Sequence, residues 1–189
     1  PNKVYDGGTS ATATLAITAG LVGTETVTAA GTGAFNSKDV LAANLVTVSS
    51  TTLANGTNGG LASNYSLAAG QTAAASITAK TLTATASAPN KVYDGGTSAT
   101  ATLAITAGLI GTETVTATGA GTFNSKNVAA ANLVTVSSTT LADGSNGGLA
   151  SNYSLAAGQT AAASITQRAL TVGATGQSRV YDGTTAAVI

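Results

Sequence analysis

The sequence predicts an all-β chain of tandem small antiparallel β-sandwiches, immunoglobulin-like in kind, stacked into a rod. Three observations carry that prediction. Short runs alternate apolar and polar residues with period two, turn residues separate the runs, and a unit of 88 residues recurs along the chain. A β-grasp arrangement is the alternative, weakened because it needs a helix across the sheet and the chain offers only one short candidate.

The recurrence sets the frame for everything else. PNKVYDGGTSATATLAITAGL stands at residues 1–21 and again at 89–109, and Tyr5, Tyr93 and Tyr181 follow one another at intervals of 88. Residues 1–88 and 89–176 are identical at 73 of 88 positions. Most replacements keep size or polarity: Val22 becomes Ile110, Asn55 becomes Asp143, Thr57 becomes Ser145 and Lys80 becomes Arg168. The larger ones gather at 81–88 against 169–176, the stretch that leads into the next copy. A unit of this length is too long for a solenoid rung and suits one small autonomous domain. A period of about 20 residues, which a parallel β-helix requires, does not persist inside it.

Within the first copy the elements read in order. Ala11, Ala13, Leu15 and Ile17 alternate with threonine and alanine, the pattern of a half-buried strand with a polar outer face. Further strands are expected at 24–29, with Val27 facing in, and at 45–49. Two more are expected at 64–68, with Tyr65 and Leu67 on one side, and at 73–80. The last run continues through Leu82, Ala84 and Ala86 without Pro or Gly. Asp6-Gly7-Gly8, the glycines at 31–33, Asn55-Gly56 and Asn58-Gly59-Gly60 supply turn signals. Residues 37–43, where Ser37 precedes Lys38-Asp39-Val40-Leu41-Ala42, form the single helix candidate.

Composition narrows the chemistry. Alanine, threonine, glycine and serine supply 115 of 189 residues, and Leu, Ile, Val and Phe together make just under a fifth. That apolar share borders on the range of disordered chains, but zero net charge and phased apolar positions favour a lightly packed fold. With no His and no Cys, the chain has no Ser-His-Asp or Cys-His nucleophile system, no zinc site of the usual kind and no disulfide. Seven basic and seven acidic residues form no basic stripe, which argues against nucleic acid as a partner. Apolar runs are broken by Thr or Gly well short of the roughly 18 residues of a membrane span, so none is expected in this segment. The chain opens directly on the repeat motif and therefore reads as an excerpt of a longer protein.

The motif residues are Tyr5, Asp6 and Gly7, repeated as Tyr93, Asp94 and Gly95 and as Tyr181, Asp182 and Gly183. A ligand or ion site at Tyr-Asp is one reading. The favoured one is structural: the carboxylate accepts local backbone N–H groups, glycine takes positive φ, and tyrosine lends a large ring to a core short of bulk. Calcium is not expected, because the first copy offers only Asp6, Glu25 and Asp39, Asp39 becomes Asn127 in the second, and a hard cation wants six or more oxygens. No catalytic, cofactor-binding or metal-binding residues are expected.

In order through each copy, KVYDGGTSATATL, GLVGTETVTA, GAFNSKDV and GGLASNYSLAAGQTAAASITAKTL resemble the YDG domain repeats of bacterial surface and secreted adhesins of filamentous-haemagglutinin type. In that family a unit opens with the strand before the motif. The resemblance therefore implies a first repeat at 1–79 lacking its opening strand, a complete second repeat at 80–167 and the start of a third at 168–189. It implies a non-enzymatic stalk or spacer on the bacterial cell surface or in a secreted matrix, supporting adhesion or biofilm. Partners are then the neighbouring repeats. The alternatives are a carbohydrate-binding module and a self-assembling extracellular filament subunit, in which residues 169–176 of one chain complete the first copy of the next.

Overall fold

The computed structural model describes residues 2–186; Pro1 and residues 187–189, the two ends of the expected repeats, lie outside the described residues. The first copy contains β1 (Lys3–Val4), β2 (Ser10–Leu15), β3 (Val27–Phe35), β4 (Leu45–Asn55), β5 (Thr72–Ala74) and β6 (Ile77–Thr78). Strands β2, β3, β4 and β5 form one antiparallel sheet in that order, and β1 pairs in parallel with β6. The second copy contains β7 (Lys80–Thr81), β8 (Thr83–Ser87), β9 (Lys91–Val92), β10 (Ser98–Ala107), β11 (Val115–Phe123), β12 (Leu133–Asp143), β13 (Tyr153–Ser154), β14 (Thr160–Ala162) and β15 (Ile165–Thr166).

Its main sheet has five strands, in the order β14-β12-β11-β10-β8, and curls like half a barrel so that β8 and β14 approach each other. Parallel pairs β7–β13 and β9–β15 close the ends. The protein is thus all-β with almost no helix. The expected purely antiparallel arrangement gains short parallel pairs, because the strand that enters each motif runs alongside the closing strand of its unit, β1 with β6 and β9 with β15, and β7 runs alongside β13.

The period-two reading of β2 holds: Ala11, Ala13 and Leu15 are half-buried while Thr12 and Thr14 face solvent. Other expectations change. The 24–29 strand begins at Val27 and runs to Phe35, passing through the glycines read as a turn. Those glycines sit mid-strand because the facing strand is too close for a side chain. A Cβ on Gly33 would stand 2.4 Å from the Thr47 carbonyl oxygen, and one on Gly31 3.0 Å from Val48 Cγ1. A bulge between Thr32 and Gly33 shifts the register there.

Residues 37–43 form one isolated turn, not a helix. Ala42 and Ala43 N–H groups both donate to the Asp39 carbonyl, and the Asp39 N–H donates to Ser37 Oγ at 3.0 Å. The 64–68 strand is replaced by a 3-10 turn at Ala62–Asn64, matched by Ala150–Asn152 in the second copy. The 73–80 strand breaks into β5 and β6, which join different sheets.

The two copies differ most where their sequences do not. SATATLAITA forms a six-residue strand at the start of β2 but the ten-residue β10, and Tyr153–Ser154 is a strand while Tyr65–Ser66 is not. Strand β8 pairs antiparallel with the far half of β10, and β7 pairs with β13. Among the described residues nothing pairs with the corresponding edge of β2. Backbone groups adopt the ladder only where a partner strand satisfies them. Residues 168–176, the counterparts of 80–88, are exposed and outside any strand.

Candidate functional site: the junction between copies

The core does not stop at the boundary between copies. Tyr5, Phe35, Ala43, Val46, Ala75 and Ile77 of the first copy share one apolar cluster with Leu82, Val115 and Tyr153. Half-buried Val40 packs on it from one side, and Ile105, Leu109, Ile110, Leu141 and Leu155 from the other. A hydrophobic cluster that crosses a repeat boundary removes apolar area from water only while both copies hold their relative position.

At the centre of this junction, the Tyr5 and Tyr153 rings meet edge to face, with centroids 5.5 Å apart and planes at 80°. One carboxylate serves both hydroxyls: Tyr5 Oη donates to Glu113 Oε1 at 2.7 Å and Tyr153 Oη to Glu113 Oε2 at 2.6 Å. Each hydroxyl also accepts one bond, from Lys38 Nζ at 3.2 Å and from the Ile110 N–H at 3.1 Å. Lys38 Nζ lies 3.7 Å from Glu113 Oε1, 3.4 Å from Asp39 Oδ1 and 5.6 Å from the centre of the Tyr5 ring. The polar groups of the junction therefore form a closed circuit around a largely buried acid.

Burial, reinforced by the Glu113 carboxylate, raises the pKa of both hydroxyls above the ordinary tyrosine value, Tyr153 to about 12. The hydrogen bond to Tyr5 in turn raises the Lys38 ammonium. Beside them Asn152, fully buried, accepts from the Val40 N–H at 2.9 Å and donates to Asp39 Oδ1 at 3.0 Å. Its counterpart Asn64 is exposed.

The motif turn positions Tyr5 for this role. Gly8 N–H donates to Asp6 Oδ1 at 2.9 Å, Lys3 Nζ bridges Asp6 Oδ1 at 2.7 Å and the Gly8 carbonyl at 2.8 Å, and Gly7 takes φ +80°. Asp94 is held the same way by Lys91 and the Gly96 N–H, with Gly95 at φ +85°. The third copy keeps the device: Arg179 Nη1 donates to Asp182 Oδ2 at 2.7 Å, Thr184 N–H donates to Asp182 Oδ1 at 3.0 Å, and Gly183 lies at φ +76°. The lysine beside each of Asp6 and Asp94, helped by the backbone N–H, lowers that carboxyl's pKa.

The three tyrosines then part company. Tyr5, which meets Glu113 and Tyr153 of the following unit, is 1% exposed, Tyr93 36% and Tyr181 91%. Sequence reasoning named the motif and missed Lys38, Glu113, Asn152 and Tyr153, which complete the site from the 37–43 turn, the loop before β11, the 3-10 turn at Ala150–Asn152 and β13. Among the described residues no group of three or more acidic, His or Cys side chains converges as a metal site. No helix among them is long and apolar enough to cross a membrane.

The family model described as YDG domain matches the chain twice, over residues 1–74 and 78–162. The chain belongs to the YDG domain family. No curated protein and no solved structure matches it. The second YDG match begins ahead of β7 and β8, whereas the first begins with the residues around the motif turn. In both YDG units the motif tyrosine is tied by its N–H to the closing strand, Tyr5 to the Thr78 carbonyl and Tyr93 to the Thr166 carbonyl, each at 2.9 Å. In the first it meets the glutamate and tyrosine of the following unit.

Proposed function

We propose that this chain is a non-enzymatic spacer, a segment of the stalk of a secreted or surface-anchored bacterial adhesin whose product is length and stiffness. The observation that carries the reading is the shared core at the junction. Successive units are joined by Ala79 alone between β6 and β7 and are clamped by Tyr5, Glu113 and Tyr153. A junction with so little free backbone resists bending, unlike a Gly/Ser linker. Repeating it at every boundary gives a rod of tandem β units, and adhesion or matrix building then depends on what the rod carries.

A carbohydrate-binding role is the weaker reading. An open cavity of about 590 Å³ beside the first motif turn is lined by Lys3, Ser10, Thr12, Thr32 and the edge of Phe35. Sugar sites use exposed aromatic platforms, yet Phe35, the aromatic residue lining this cavity, is buried.

The test is small-angle scattering of fragments containing one to four copies. A maximum dimension that grows in proportion to copy number is expected; growth with its square root, as for a flexible chain, overturns the spacer reading. Glycan-array binding by the two-copy chain at micromolar strength decides for the second reading.

A further inference from the structure

In each unit the strand that leads into the motif turn lies parallel to the strand that closes the unit, β1 beside β6 and β9 beside β15, in the same register in both copies. The bonds across the two pairs are the same. Lys3 N–H donates to the Ser76 carbonyl at 3.1 Å and Tyr5 N–H to the Thr78 carbonyl at 2.9 Å; Lys91 and Tyr93 repeat them on Ser164 and Thr166 at 3.1 and 2.9 Å. Side chains lengthen each ladder. Asn2 Oδ1 accepts from the Ser76 N–H at 2.9 Å and Thr78 Oγ1 donates to the Lys3 carbonyl at 3.3 Å, while Asn90 and Thr166 make the matching bonds at 2.7 and 3.3 Å. Beneath the pairs Ile77 and Ile165 are each 2% exposed, which keeps water, the competitor for these bonds, away from one side.

The covalent path of the chain runs directly through these pairs. Thr78 ends β6, Ala79 follows and Lys80 opens β7, so a pull along the chain passes from the closing strand of one unit into the opening strands of the next. Because β9 and β15 are parallel, the N-terminal end of one and the C-terminal end of the other lie at opposite ends of the pair. Tension through the two ends of a unit therefore slides the strands lengthwise past each other, and the bonds across the pair must fail together. An antiparallel terminal pair would bring both loaded ends to one edge and part bond by bond. Strand β8 adds to the effect, since it is held along its length by β10 and is drawn along its own axis by the same pull.

We infer that each unit is a load-bearing element whose paired entry and exit strands resist extension in shear, with Asn2 and Asn90 sharing the load. The spacer reading concerns bending at the junctions; resistance to pulling within each unit deepens that reading and rests on it for the source of the tension. Survival under a pull is set by the rate of unfolding and not by equilibrium stability, so a lightly packed unit can hold a load through these bonds.

Single-molecule force spectroscopy of the 189-residue chain provides the test. The chain has no cysteine, so introduced thiols fix the points of attachment. Pulling between a cysteine added ahead of Pro1 and Gln167→Cys loads both units in shear. Pulling between Gly96→Cys and Gln167→Cys opens the β9–β15 pair from its Tyr93–Thr166 end, one bond after another. Both positions are exposed, and a Cβ on Gly96 meets only Asp94 Oδ1, at 3.6 Å, so the substitutions leave the fold intact. At one pulling speed the end-to-end unfolding force is expected to be about twice the lateral one or more, because two backbone bonds break together and not singly. Asn2→Ala combined with Asn90→Ala is expected to lower the end-to-end force by about a quarter, the share of one bond in the four at each pair. An end-to-end force no greater than the lateral one overturns the inference, as does an end-to-end force that the asparagine substitutions leave unchanged. Either result leaves the spacer reading standing, because the growth of maximum dimension with copy number depends on the junctions and not on the terminal pairs.

Discussion

Tyr5 and Tyr153, 148 positions apart in the chain, donate to the two oxygens of the same Glu113 carboxylate while their rings touch edge to face. Glu25 stands at the corresponding place in the first copy, where it accepts from Tyr65 alone among the described hydroxyls. Removing the two acids therefore separates the junction from the unit. Glu113→Ala strands two buried hydroxyls and is expected to cost about 2–4 kcal/mol of unfolding free energy. Glu25→Ala is expected to cost under about 1 kcal/mol, because water takes over as partner. Urea denaturation of the two variants measures the difference; equal losses would refute a clamp at Glu113.

The same acid ties the junction to pH. Burial and Glu113 raise the Tyr153 pKa from the ordinary value of 10.0 to about 12 and raise that of Tyr5 in the same direction. The folded state thus holds these protons more tightly than the unfolded chain does. Their contribution is complete below pH 10.0 and is lost as the pH rises from there towards about 12. Chemical denaturation across that window is expected to show a steep fall for the wild-type chain and a shallower one for Tyr153→Phe. Parallel curves for the two proteins would remove the tyrosine pair from the account. Tyr65, raised by its bond to Glu25, adds a term of the same sign that both proteins share.

The half-buried strands and the motif turn were legible in the sequence because both are local. Alternation at Ala11, Ala13 and Leu15 needs only the pleat, and Asp6 with Gly7 needs only its own backbone and Lys3. Gly31 and Gly33 were misread because a glycine in a turn and one under a close facing strand look alike until Thr47 and Val48 are in place. Residues 37–43 have a serine cap and helical spacing, but one turn anchored on Asp39 is all that forms before Ala43 enters the core. The junction was least legible, since SATATLAITA is the same ten residues in both copies and only the presence of β8 decides how much of it is strand. One signal was available: in a chain with two glutamates, both stand 40 residues before a tyrosine, Glu25 before Tyr65 and Glu113 before Tyr153.

Glycine in the motif turn offers a second comparison between copies. Gly7 and Gly95 both require positive φ, so an alanine costs about 1–2 kcal/mol at either. At Gly7 the new Cβ also stands 2.9 Å from Ile110 Cγ2 across the junction, while at Gly95 it meets nothing within 4 Å. Gly7→Ala is therefore expected to exceed Gly95→Ala by a further 1 kcal/mol or so, the cost of pushing the two copies apart. Thermal melts of the two variants rank them. If Gly95→Ala is the more damaging, the turn is not constrained by the neighbouring copy.

Leu82 gives the sharpest test of how far the junction dictates secondary structure. It is the buried residue between β7 and β8, and its N–H donates to the Ser154 carbonyl at 2.8 Å. Leu82→Ala empties its pocket and is expected to cost about 2–5 kcal/mol, whereas Leu170→Ala, at an exposed position, changes a dilute monomer by less than about 0.5 kcal/mol. The structural consequence is more specific than the energetic one. Residues 104–107 are strand only because β8 pairs with them, and their counterparts at 16–19 are not strand at all. Hydrogen exchange is therefore expected to show protected amides at 104–107 and unprotected ones at 16–19 in the wild-type chain. In Leu82→Ala the first set should fall to the level of the second while the amides of β11 and β12 keep their protection. Protection at 104–107 that survives the substitution would mean that the ten residues hold a strand without their partner. The difference between the two copies would then need another cause.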